Sequence, residues 1–66
     1  MKTEIKVRRI IDRLAMQLPE KMDFREENKF FRAVCRELSR QYNINVGCNA
    51  NALQAVREEF CRFLEG

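Results

Sequence analysis

Five cations, Arg25, Lys29, Arg32, Arg36 and Arg40, recur every three or four residues, and no acid interrupts the series. On a helix at 100° per residue, counted from Phe24, they fall between about 80° and about 160°. The apolar residues of the same stretch centre near about 330°, almost opposite. A second row, Lys2, Lys6, Arg9 and Arg13, has the same character. Counted from Ile5, it falls between about 40° and about 100°. Two acids of that stretch, Glu4 and Asp12, each lie four residues from Arg8, where helix-surface ion pairs form.

Such rows suit electrostatic recognition of an anion. Like charges spaced i,i+4 destabilise a helix by about 0.2–0.5 kcal/mol per pair. A chain needing only solubility would interleave its glutamates, yet the ten acids are kept off these nine positions. Phosphates are the commonest polyanionic partner, and the arginine fork matches their oxygens. Nucleic acid is therefore the expected partner, and an acidic protein surface the competing one. Of the nine, only Arg9 and Arg13 have an evident local acid, Asp12 or Glu20. On a plain solvated helix the same residues would simply face water.

Other chemistry has little to work with. The 66 residues include no histidine, and Ser39 and Thr3 are the sole hydroxyl-bearing side chains of serine or threonine type. Gly47 and Gly66 are the only glycines, so no glycine-rich phosphate loop exists. Glu58 and Glu59 are neighbours in sequence but point about 100° apart on a helix. No catalytic residues and no cofactor are expected. Cys35, Cys48 and Cys61 are odd in number and lack a C-x-x-C pair, which disfavours zinc. They read as free thiols in a reducing, cytoplasmic setting, with a Cys48–Cys61 bridge or an intersubunit bridge as the rivals.

The elements that must carry these rows follow from apolar spacing and punctuation. Val7, Ile10, Ile11, Leu14, Ala15 and Leu18 form one helical stripe. Phe31, Val34, Cys35, Leu38 and Tyr42 form a second, with Phe24 leading in and Phe30 at its border. Leu53, Val56, Phe60, Phe63 and Leu64 form a third, with Ala52 at its edge. Pro19 forbids simple continuation of the first stripe. Asp23 and Glu26 have the spacing of a capping box. Asn43 suits a left-handed C-cap, Gly47 permits positive φ, and Asn49 suits an N-cap. The prediction is an all-α, single three-helix domain over 1–66, with helices near 3–18, 24–42 and 50–64. No apolar run reaches membrane-spanning length, and the N-terminus does not resemble a signal peptide.

Three rival readings need weighing. MKTEIKVRR also alternates with a strand period, which would suit a paired strand in the DNA major groove. The second and third segments also resemble a helix-turn-helix, with Asn51 and Gln54, beside Asn49 and Arg57, as base-reading types. The 43–49 connection is long for that motif, and Glu58, Glu59 and Glu65 repel phosphate. Finally, the chain could be a protein-binding inhibitor or adaptor, using Ile5, Met16 and Phe30 as apolar contacts. Phe30, Phe31, Phe60, Phe63 and Leu64 supply either the monomer's own core or the contact of a homodimer.

Overall fold

Asp23 is where the longest helix begins. Its carboxylate accepts a 2.8 Å hydrogen bond from the Glu26 N–H, and the Glu26 carboxylate accepts one from the Asp23 N–H. That reciprocal pair satisfies two of the donors a helix start leaves open. The computed structural model describes residues 2–19 and 21–66. It contains α1 (Thr3–Ala15), α2 (Phe24–Tyr42), a 3₁₀ turn (Val46–Cys48) and α3 (Ala50–Glu65), and among the described residues no strand. The alternating N-terminal stretch is thus helical, and the strand rival falls.

Each boundary has a local cause. α1 stops at Ala15, three residues short of the predicted end. The ring of Pro19 would clash with the carbonyl four residues back, which belongs to Ala15. The chain instead tightens: Gln17 and Leu18 donate to the Leu14 and Ala15 carbonyls at 3.1 Å. Leu18 still packs against the core through this tightened turn. α2 ends at Asn43, whose φ of 56° is left-handed. The N–H groups of Asn43 and Ile44 then satisfy the Ser39 and Leu38 carbonyls. Gly47 does not take positive φ; it lies in the 3₁₀ turn, with its N–H bonded to the Asn45 carboxamide oxygen. Asn49 caps α3 by accepting from the Ala52 N–H at 3.1 Å. Three asparagines in one connection thus perform three separate tasks.

The core is one cluster. Val7, Ile10 and Ile11 meet Phe30, Val34 and Leu38 from α2 and Ala52, Ala55, Val56 and Phe60 from α3. Val46 inserts from the 3₁₀ turn. The Phe30 ring lies 5.3 Å from Phe60 and 5.4 Å from Phe63, and Phe31 lies 5.5 Å from Phe60, all tilted or edge-on. Such geometry suits the aromatic quadrupole. Phe30 is therefore buried core, not the apolar docking contact its border position suggested. Ala52, expected at an edge, is fully covered, whereas Leu64 is 43% exposed. Glu59 is also buried, paired with Arg62 at 3.0 Å.

No helix among the described residues is long and apolar enough to cross a membrane. The three cysteines are free thiols. Cys48 precedes α3 and Cys61 lies 13 positions later, about 20 Å along a helix, which excludes their bridging. Cys35 is half-buried, and that burial pushes its thiol pKa up.

Candidate nucleic-acid interface

α2 positions five of the cations. Its 19 residues reach about 28 Å, matching the 29 Å long axis of the molecule. The row from Arg25 to Arg40 rises about 22 Å along it. All five side chains are exposed. Lys29, Arg32 and Arg36 surround Ala33 and together line a shallow hollow of about 310 Å³. Ala33 is the one small residue among long ones, and its missing bulk creates the hollow. An anion seated there would meet three cationic side chains.

Two cations of the other row, Lys6 and Arg13, are placed beside α2. Leu14 of α1, Gln17 and Leu18 of the turn after it, and Glu26, Lys29, Phe30 and Ala33 of α2 line one groove of about 410 Å³. Gln17 follows Arg13 by one turn and so continues the α1 row into that groove. Further along, Arg13 acts across the interhelical space on the carboxylate of Glu37. Lys6 reaches the α2 end, its ammonium 5.2 Å from the Tyr42 ring centroid. These contacts put Lys6 and Arg13 on the α1 bank of the α1–α2 groove and Lys29 on the α2 bank. α3 packs against the apolar sides of both helices, away from that face.

Two acids sit between the banks, and each is engaged. Glu26 belongs to the capping box. Glu37 accepts two hydrogen bonds from Arg40, at 2.7 and 3.0 Å. The Arg40 hydrogen bonds hold the Glu37 carboxyl below its usual range, with smaller support from the Arg40 charge, Gln41 and Arg13. The same pair raises Arg40 further. This corrects the expectation that Arg40 has no local partner. Among the described residues, the other eight cations of the two rows have no carboxylate within salt-bridge reach. Lys2, Arg9 and Arg13 are exposed on α1's flank, and Lys6 is half-buried against Tyr42. Arg8, outside the row, takes Asp12 at 3.3 Å.

Asn51 and Gln54 are not brought to this face. Both are exposed on the outward side of α3. Gln54 donates to Glu58 at 3.1 Å, and the Asn49 carboxamide oxygen is occupied as a helix cap. Sequence reasoning in turn missed Ala33, Gln17 and Tyr42, which shape the basic face without carrying charge. Ala33 was legible as the single alanine beside the basic row, near about 180° on the same wheel.

No protein-family model, curated protein or solved structure matches the chain.

Proposed function

We propose that this chain is a small, non-enzymatic regulatory protein that contacts nucleic acid through the α1–α2 face, chiefly at phosphates. One observation carries the reading. Lys6 and Arg13 of one basic row face α2, whose own row runs past the same groove at Lys29, and Glu26 and Glu37, the described acids beside them, are already bonded. A row rising about 22 Å spans about six steps of one DNA strand at about 3.4 Å each. Lys29, Arg32 and Arg36 are its centre, where the hollow over Ala33 seats an anion. Asn51 and Gln54 lie on α3, apart from the phosphate-contacting rows. A cytoplasmic setting belongs to the same proposal, since three free thiols suit a reducing compartment.

A salt series on fluorescent duplex and single-stranded probes tests it. With five to eight phosphates engaged, the log–log slope for duplex is about −4 to about −7. The double variant Arg32→Glu, Arg36→Glu weakens binding at least about tenfold and flattens the slope by about 2. Retardation of no probe at low salt, by either protein, removes the reading. A second reading, docking on a protein surface that is acidic or apolar, draws its apolar form from Met16 and Ile5, which are 85% and 47% exposed beside the α1 row. An apolar docking interface would respond little to salt.

A further inference from the structure

Phe24 opens α2 with its ring 84% exposed. Nothing in the fold requires an aromatic there. The cap is made by Asp23 and Glu26, and Phe24 is absent from the core cluster. A single exposed apolar residue would mean little. Phe24, however, borders a hollow of about 270 Å³ between α2 and α3, whose other walls include Asn28, Phe31, Phe60 and Leu64. A protruding ring and a recess lined by two more rings thus lie side by side on one surface. Glu27 and Leu64 form the ridge between this recess and a neighbouring one of about 440 Å³. Lys21 and Met22 line that second recess.

The geometry points to a second copy of this chain as the occupant, in a two-fold contact. In an isologous interface the same patch serves both subunits, so each patch must carry its own complement. Here it does. Phe24 of each copy enters the Phe31–Phe60–Leu64 recess of the other. The charges agree: Lys21 and Glu27 line the same recess, and a two-fold axis passing between them sets each Lys21 against the other copy's Glu27. The net charge of +3 per chain opposes association in general. This surface lessens that cost, since the α2 basic row centres about 120° around the helix from Phe24. A standard interface takes about 800 Å² per partner. That is about a sixth of the 5127 Å² surface. This inference does not depend on what the basic face binds.

Sedimentation equilibrium of the full chain, from about 1 μM to about 1 mM with a thiol reductant, tests it. The wild type rises from one to two chain masses. Phe24→Asp keeps its thermal melt, because the ring is exposed, and raises the dissociation constant at least about tenfold. Lys21→Glu and Glu27→Lys each weaken association, and the two together restore it to within about threefold of wild type. A wild type that stays monomeric throughout overturns the inference. So does Phe24→Asp associating as tightly as wild type, or a double swap no tighter than either single swap.

Discussion

Glu37 is the residue on which the basic face is most sensitively set. It is the acid nearest the centre of the cationic rows, and it holds Arg40 with two hydrogen bonds. Glu37→Gln removes a negative charge between the banks and releases Arg40 toward a phosphate. On the proposed function, duplex affinity rises and the salt slope steepens by about 0.9, read by anisotropy titration. The pH dependence has a definite sign. A carboxyl whose folded pKa is lowered contributes stability above its unfolded value, about 4.3 for Glu. The contribution is lost as pH falls through the depressed folded value. The stability gap between wild type and Glu37→Gln is therefore present at pH 7 and closes below about pH 4, as urea melts at the two pH values would show. The pair is solvent-facing on the arginine side, so the gap is small.

At the scale of elements, most of the fold was legible because its signals are local. The Asp23–Glu26 spacing, the Asn43 cap and the Asn49 cap are decided by a few neighbouring residues, and all three occur as read. The miss at the end of α1 has a different origin. The apolar stripe runs on to Leu18, but Pro19 acts backward on Ala15, so the pattern outlasts the helix that writes it. Gly47 misled for a related reason: a glycine licenses positive φ without requiring it, and Asn43 alone takes the left-handed turn within the connection. These two positions make opposite predictions. Asn43→Ala costs about 1 kcal/mol, because alanine resists the left-handed region. Gly47→Ala leaves stability unchanged or raises it by up to about 0.5 kcal/mol through a less flexible unfolded chain. A Cβ there meets only the Asn45 carboxamide oxygen at 3.4 Å, an ordinary contact. Chemical denaturation of the two variants beside wild type checks both.

For the whole molecule, the two rows were legible separately, since each is a property of one helix. Their placement relative to each other was not, because it depends on how α1 crosses α2, which no single helix encodes. The same holds for Phe24: its place in the helical pattern led toward the core, and only the packing of α3 leaves it outside. A chain this small holds little stability in reserve, about 3–5 kcal/mol from a single core. Opening of the bundle is then frequent enough to count, and Cys35 can time it. Its thiol is half-shielded in the native state, and burial disfavours the thiolate that reacts with alkylating agents. Cys48 and Cys61 are open to reagent throughout. Peptide mass spectrometry after iodoacetamide pulses should find those two labelled early and Cys35 late, its lag shortening with added urea. Three thiols at different depths thus give the protein a built-in stopwatch, with two hands already running and one released only when the helices part.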